Sequence, residues 1–154
     1  MNCPSAGVVL ISTTLRSLRS WFYVPALKKE GYRTALRCHA DVVVIDLEDG
    51  VPLSRKEEGR RTLREISPRF KRKGPPCFVR LNDLNSPYFP KDLQVVKRIA
   101  PLIQGVCLPK IRKGADLRRL DRLLRGTRLK IVPIIELLEG ESHLEEILDA
   151  SGRI

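Results

Sequence analysis

Three carboxylates, Asp46, Glu48 and Asp49, lie within four positions directly after the apolar residues 42–45. Carboxylate oxygens are the ligands that Mg²⁺ takes from proteins, with water and substrate oxygens completing its coordination. The formal net charge of the chain is +11, so a dense acidic cluster at the end of an apolar run is unexpected. The spacing indicates a functional site, although for Asp49 alone a helix cap or a turn residue is an equally good interpretation.

Other polar residues follow apolar runs in the same way. They are Tyr23, Arg80, Asn82, Lys110 and Glu136. Arginine presents a planar fork of N–H donors that matches a carboxylate, so Arg80 suits an anionic, oxygen-rich substrate beside a metal ion. Simpler interpretations stay open, since Arg80 could pair with a neighbouring acid and Lys110 could be a surface side chain. Glu136 is harder to explain as a surface residue because it ends an apolar run.

Five apolar, strand-like runs alternate with five helix-like segments. The strands are predicted at 21–25, 41–46, 77–81, 105–109 and 130–135, and the helices at about 27–39, 54–66, 90–100, 114–124 and 140–149. The runs are continuously apolar, which is typical of strands buried on both faces of a parallel sheet. Repeated strand-then-helix order predicts an α/β fold. The polar residues above then lie at the carboxyl ends of the strands, where such folds bind ligands.

Length and composition favour one globular, soluble domain. The chain has 154 residues, 42% of them hydrophobic, and no apolar run approaches the roughly 18 residues of a membrane span. Its four cysteines form no CxxC pair, so we expect free thiols in a reducing compartment. Basic runs such as residues 54–65 are interpreted as solvated helix faces. Aromatic residues are only 5% and are not interleaved with the basic runs, so we expect no nucleic-acid partner and no membrane partner.

Residues 1–18 contain no acid and are rich in Ser and Thr, which is typical of an N-terminal extension and weakly of a mitochondrial transit segment. We interpret 1–18 as an N-terminal extension that could be disordered, and 19–154 as the folded part. The expected location is cytoplasmic, with the mitochondrion as the alternative. The two histidines, His39 and His143, lie outside the predicted strand ends and are interpreted as structural.

Five segments carry a resemblance to a known family. They are RSWFYVP (19–25), ADVVVIDLEDGV (40–51), FVRLNDLNSP (78–87), GVCLPKI (105–111) and IVPIIELLEG (131–140). In order and spacing they resemble the citrate lyase beta-subunit-like family of the HpcH/HpaI aldolase group, which has a TIM barrel of the phosphoenolpyruvate/pyruvate-binding type. The resemblance implies a Mg²⁺-dependent carbon–carbon lyase acting on short acyl-CoA esters such as citryl-CoA or malyl-CoA. It also implies an oxo acid such as oxaloacetate as a ligand, and a homo-oligomer in full-length members.

The resemblance assigns roles to the strand-end residues. It implies that Glu136 is a metal ligand and that Arg80 binds the carboxylate of the oxo acid. Glu48 and Asp49 would be the acidic pair that orders metal-bound water and Arg80, so these three are the implied catalytic residues. The resemblance also places Tyr23 and Lys110 in the substrate-binding region.

The chain also departs from the family pattern. Where the family has glycine and a small polar residue after the first strand, in the region that contacts CoA, this chain has Ala26 and Leu27. The family's second metal-binding aspartate belongs to the strand expected after residue 154, and a TIM barrel has about eight strand–helix units. We therefore expect an incomplete barrel of about five units that is inactive as it stands. The alternative is a non-catalytic half-barrel that acts through self-association or a partner chain.

Overall fold

The structure, a computed structural model, describes residues 18–37, 39–70 and 74–154. In this part of the chain, strands and helices alternate almost throughout. The strands are β1 (Trp21–Pro25), β2 (Val42–Asp46), β3 (Cys77–Arg80), β4 (Gly105–Leu108) and β5 (Lys130–Pro133). The helices are α1 (Lys29–Arg37), α2 (Lys56–Ile66), α3 (Phe89–Ile99), α4 (Gly114–Leu123), α5 (Leu138–Ser142) and α6 (Leu144–Leu148).

The strands form one parallel sheet in the order β1-β2-β3-β4-β5. Neighbours in space are neighbours in sequence, because a helix carries the chain from the end of each of the first four strands to the start of the next. In this register Asp46, the last residue of β2, pairs with Arg80, the last residue of β3. The predicted parallel α/β fold is confirmed, and the carboxyl ends of all five strands lie at the same end of the sheet.

Strand β2 shows why the apolar runs are continuous. All five of its residues are buried. Val43 and Ile45 belong to the large core formed with the helices. Val42 and Val44 lie in a second buried cluster with Phe78 and Cys107. Both faces of the strand are therefore covered, as expected for a parallel sheet.

Two sequence predictions about helices are wrong. The single helix predicted over 140–149 is two short helices, since the backbone of His143 (φ −115°, ψ 22°) leaves the helical region between α5 and α6. Helix α5 packs closely on the loop after β4, where a Cβ atom at Gly140 would lie 2.3 Å from the Ile111 carbonyl oxygen. The basic run at 54–65 is not wholly a solvated face either, because Lys56 and Arg60 are each only 3% exposed.

The thiol prediction is confirmed for Cys77 and Cys107, which are free and buried. Cys3 and Cys38 lie outside the described residues, as does the predicted extension apart from Leu18. Within the described ranges, no helix combines the length and the apolar character needed to cross a membrane.

Candidate active site

Asp46 and Arg80 form a bidentate ion pair at the carboxyl ends of β2 and β3. Arg80 donates from Nε to Asp46 Oδ1 at 2.8 Å and from Nη2 to Oδ2 at 2.7 Å. Asp46 is 3% exposed and also accepts the backbone N–H groups of Glu48 (2.8 Å) and Gly50 (2.7 Å). Hydrogen bonding to Asp46 is the main cause that raises the pKa of Arg80. One carboxylate thus fixes both the guanidinium and the turn after β2.

The other edge of the Arg80 guanidinium, formed by Nη1 and Nη2, has fewer hydrogen-bond partners. Nη1 lies 3.1 Å from Glu48 Oε2 and 3.8 Å from Asp49 Oδ2. These contacts are ion pairs and not hydrogen bonds, and Glu48 Oε2 is buried yet accepts no hydrogen bond from any described residue. A guanidinium has five N–H donors, and two of those of Arg80 are bound by Asp46. The edge formed by Nη1 and Nη2 can therefore still engage a carboxylate ligand.

Glu48 lies between two cations. Its Oε1 accepts a hydrogen bond from Lys110 Nζ at 2.7 Å, and its Oε2 faces Arg80. Burial raises the pKa of Glu48, an effect that the hydrogen bond from Lys110 opposes. The same hydrogen bond raises the pKa of Lys110. Lys110 is therefore held in its charged form at the edge of the site.

The backbone of Lys110 joins this cluster to the end of β5. Lys110 has a positive φ of 56°, in the left-handed region that residues other than glycine rarely adopt. Its N–H donates to Glu136 Oε1 at 3.0 Å, and its carbonyl accepts a hydrogen bond from Arg112 Nη1 at 2.9 Å. One residue thus contacts Glu48 through its side chain and Glu136 through its backbone.

Tyr23 covers one face of Arg80. The Cζ atom of Arg80 lies 5.2 Å from the centre of the Tyr23 ring, within the range of a cation–π contact. The Tyr23 residue is 42% exposed. Burial of its phenol, and then the neighbouring Cys107, raise the pKa of Tyr23 to about 12. The phenol therefore stays neutral at physiological pH beside the guanidinium.

The cluster offers few carboxylate ligands for a metal ion. Among the described residues, no group of three or more His, Cys, Asp and Glu side chains is placed to hold one. Glu136 is exposed and its Oε1 accepts the Lys110 N–H, while no described residue is hydrogen-bonded to its Oε2, so one carboxylate oxygen can still bind a cation. Mg²⁺ takes one or two carboxylates and fills the remaining positions with water and substrate oxygens. The site therefore fits Mg²⁺ held largely by water and ligand.

The structure brings most of the predicted site residues together. Arg80 contacts Glu48, Asp49 and Tyr23, and Lys110 contacts Glu48 and Glu136. Asn82 instead lies beneath the cluster, where its Nδ2 donates to Leu47 O and to Asp92. Asp46 was counted in the acidic cluster of the sequence but was given no role, although that residue ends a strand and its register partner is Arg80.

A groove of about 600 Å³ lies apart from this cluster, where the start of α1 faces α2. Its charged lining residues are three bases and three acids: Lys28, Lys29, Arg61, Glu30, Glu58 and Glu65. Two of them, Lys29 and Glu65, are hydrogen-bonded to each other. This balance gives the groove no net attraction for a polyanion, and it shares no lining residue with the strand-end cluster.

The strands follow one another in sequence order, and the acids, arginine and lysine lie at their carboxyl ends; this combination is typical of TIM-barrel enzymes. Residues 19–154 match the family described as HpcH/HpaI aldolase/citrate lyase, and the chain belongs to that family. The prediction made from the five sequence segments is confirmed.

Two curated relatives with different names are similar in sequence to this chain. A citrate lyase subunit beta-like protein of Deinococcus radiodurans is 35% identical over 144 residues, covering 86% of this chain and 48% of the relative. An L-malyl-CoA/beta-methylmalyl-CoA lyase of Rhodobacter capsulatus is 28% identical over 145 residues, covering 88% and 46%. The chain spans about half the length of the curated relatives it matches.

Solved structures give the same result for the fold. The citrate lyase beta subunit of Mycobacterium tuberculosis complexed with oxaloacetate and magnesium matches with a TM-score of 0.72 and 28% identity, covering 90% of this chain and 56% of that chain. CitE of the same organism in complex with magnesium, acetoacetate and coenzyme A matches with a TM-score of 0.70 and 27% identity, covering 89% and 47%. The predicted partial barrel of the citrate lyase beta type is confirmed.

Proposed function

We propose that this protein is a Mg²⁺-dependent carbon–carbon lyase of the aldolase or Claisen type. Its substrate would be a short acyl-CoA ester such as citryl-CoA or malyl-CoA, and the strand-end cluster would bind the oxo-acid half. The lyase activities and the magnesium, oxaloacetate and CoA ligands named for its relatives support this proposal.

The geometry of Arg80 carries the proposal. Asp46 fixes one edge of the guanidinium and the Tyr23 ring covers one face, so the remaining edge has a defined direction. A planar edge with two N–H donors matches the carboxylate of an oxo acid in a bidentate contact. A charge fixed in this way before the ligand arrives stabilises negative charge that develops during the reaction.

The other residues complete the proposed roles. Glu136 would hold Mg²⁺, which, when bound, stabilises the enolate oxygen as a Lewis acid. Glu48 and Asp49 would order water and keep Arg80 oriented. The ammonium of Lys110 would hold the Glu48 carboxylate in place. Tyr23 would pack against the bound oxo acid with its neutral ring.

Binding and turnover are separate parts of the proposal. Because the chain spans about half the length of its relatives, we expect the 154 residues to bind an oxo acid but not to cleave a CoA ester. A homo-oligomer for the full-length family member and a cytoplasmic location, with the mitochondrion as the alternative, stay predictions.

Titration with oxaloacetate in the presence of Mg²⁺ tests the binding role of Arg80. Calorimetry on the wild type should show saturable binding, and Arg80→Lys should weaken it by at least about tenfold because lysine lacks the planar fork. Arg55→Lys, at an exposed position outside the cluster, is the matched control and should bind like the wild type. Equal affinity in the wild type and Arg80→Lys, or no saturable binding by the wild type, would refute the proposal. Formation of glyoxylate together with acetyl-CoA from malyl-CoA tests turnover, since cleavage of the carbon–carbon bond leaves the CoA thioester intact.

The alternative function, a non-catalytic half-barrel that acts by association, has one structural observation in its favour. Leu138, Leu144 and Leu148 on α5 and α6 are 83%, 42% and 51% exposed. Large exposed apolar side chains near one another are typical of protein contact surfaces. Sedimentation that finds a folded monomer of 17.5 kDa at all concentrations would reject self-association as the form of this alternative.

A further inference from the structure

A buried ammonium group lies beneath the acidic turn that follows β2. Lys56, the first residue of α2, is 3% exposed. Its Nζ donates to the carbonyl oxygens of Leu47 at 2.8 Å and of Glu48 at 2.7 Å. The ring of Tyr88 lies 5.8 Å from the same nitrogen. The acceptors of Lys56 are thus backbone atoms of the site.

A second set of buried polar groups supports the same carbonyl. Asn82 Nδ2 donates to Leu47 O at 3.0 Å and to Asp92 Oδ2 at 2.6 Å. Asp92 is fully buried, and its Oδ1 accepts a hydrogen bond from Arg60 Nη1 at 2.8 Å. The carbonyl of Leu47 therefore has two side-chain donors, and one of them is itself held by a buried ion pair.

Burial of a lysine in this position is costly. Removing an ammonium from water costs several kcal/mol unless hydrogen bonds and nearby charges compensate. Burial lowers the pKa of Lys56, while Asp92, Asp46, Glu48 and Asp49 oppose that effect. A methionine could fill the same space without this cost, so fold stability alone does not account for a lysine here.

The turn of residues 47–50 is held from two sides. Asp46 accepts the N–H groups of Glu48 and Gly50, and Lys56 binds the carbonyls of Leu47 and Glu48. Glu48 is thus fixed at both of its backbone polar atoms, which sets where its carboxylate meets Arg80 and Lys110.

We propose that Lys56 is a positioning residue for the oxo-acid site. It orders the turn of residues 47–50 by binding two carbonyls from below, and so places the carboxylate of Glu48 between Arg80 and Lys110. The effect on ligand binding rests on the proposed function, whereas the ordering of the turn does not.

Amide hydrogen exchange measured by NMR tests this role without requiring turnover. Lys56→Met keeps the apolar stem but removes the donor, and it should speed exchange at Glu48 and Gly50 by at least about tenfold, the effect of losing a hydrogen bond to a charged group. The reference amides are Lys130 and Ile134, which donate to the carbonyls of Gln104, directly before β4, and of Leu108, the last residue of β4. They should keep their wild-type protection.

Arg55→Met is the matched control, since Arg55 precedes Lys56 but is exposed and pairs with Glu58. It should leave exchange at Glu48 and Gly50 unchanged. If Lys56→Met does not fold, the same measurement is made on Lys56→Gln, which keeps an amide donor without the charge and should show a smaller acceleration that is still confined to the turn.

The outcomes separate the two proposals. Faster exchange confined to the turn supports positioning by Lys56. An equal change at the reference amides, or no change anywhere, overturns it and leaves Lys56 as a general stability residue. If the wild type binds no oxaloacetate, the proposed function fails, while the exchange experiment still decides whether Lys56 orders the turn.

Discussion

The two ends of β2 carry the same residue type in different surroundings. Asp41 directly precedes the strand and is partly exposed, and it accepts hydrogen bonds from the Arg19 N–H (2.8 Å), the Ser20 N–H (2.9 Å) and the Ser20 hydroxyl (3.0 Å). Asp46 ends the strand, is 3% exposed and binds Arg80 through both carboxylate oxygens. Both carboxylates accept several hydrogen bonds. Of the two, Asp46 is the one that neutralises a largely buried cation.

This difference separates a structural contact from a site. Water can replace the neutral donors of Asp41 when they are lost, because the contact lies near the surface. Water cannot easily reach Arg80, whose side chain is 15% exposed, so loss of Asp46 would leave a charge poorly compensated. The number of hydrogen bonds is thus a poor guide to the importance of a carboxylate, and the charge and burial of its partner are better ones.

Replacement of each aspartate by asparagine tests this contrast directly and should give the largest effect. Asp46→Asn leaves the Arg80 guanidinium without its main anion and should lower the free energy of unfolding by about 3 kcal/mol. Asp41→Asn keeps an acceptor for the same neutral donors and should change it much less. Urea unfolding of both variants measures the two effects. Similar losses in both would show that the burial of Arg80 is not decisive.

The carboxyl-end residues could be predicted because the parallel fold was predictable. Continuous apolar runs indicate strands buried on both faces, and every polar residue that follows such a run then lies at one edge. Arg80, Glu48 and Lys110 were found in this way. Asp46 was placed in the acidic cluster but was given no role, because it was counted as part of the strand and its partner becomes visible only once the register is known.

The support beneath the turn could not be predicted in the same way. Lys56 and Arg60 belong to a basic run on α2 that was interpreted from the sequence as a solvated face. Hydrophobic periodicity predicts the position of apolar side chains and does not predict which polar side chains are buried against an acceptor. Asp92, the partner of Arg60, lies 32 residues further along the chain. Such pairs depend on how helices pack and not on local sequence.

The left-handed residues at the two ends of the sheet allow a second test, with a smaller effect. His39 (φ 54°) precedes β2 and is exposed, and Lys110 (φ 56°) follows β4. Glycine removes roughly 1 kcal/mol of backbone strain at such positions, so His39→Gly should raise the free energy of unfolding by about that amount.

Lys110→Gly should have the opposite sign. It relieves the same strain but removes the hydrogen bond to the buried Glu48 carboxylate, a loss of about 1–3 kcal/mol. Lys110→Met, which keeps the strain and loses the bond, is the control and should be less stable than Lys110→Gly. Chemical denaturation of the three variants decides the matter, and stabilisation by both glycines would mean that the Lys110 side chain adds little to the fold.

The dependence of the free energy of unfolding on pH should give the smallest effect. Its sign should be opposite for Asp41, which precedes β2, and for Glu48, which follows it. Backbone N–H groups, mainly those of Arg19 and Ser20, lower the pKa of Asp41 below its ordinary value of 3.8. Its contribution is therefore complete above the pKa of the unfolded chain and is lost as the pH falls through the folded pKa. Asp41→Asn should flatten the acid end of the stability curve.

Glu48 should behave in the reverse way. Burial raises its pKa above the ordinary value of 4.5, so the folded state binds this proton more tightly than the unfolded chain does. Its contribution is therefore complete below the unfolded pKa and is lost as the pH rises through the folded pKa. Glu48→Gln should remove this decline in the free energy of unfolding with pH. Loss of the contact with Lys110 would shift the whole curve without changing its slope. Urea unfolding between about pH 3 and 7 compares the slopes. If both variants changed the slope in the same direction, burial would not be what distinguishes the carboxylates at the two ends of the sheet.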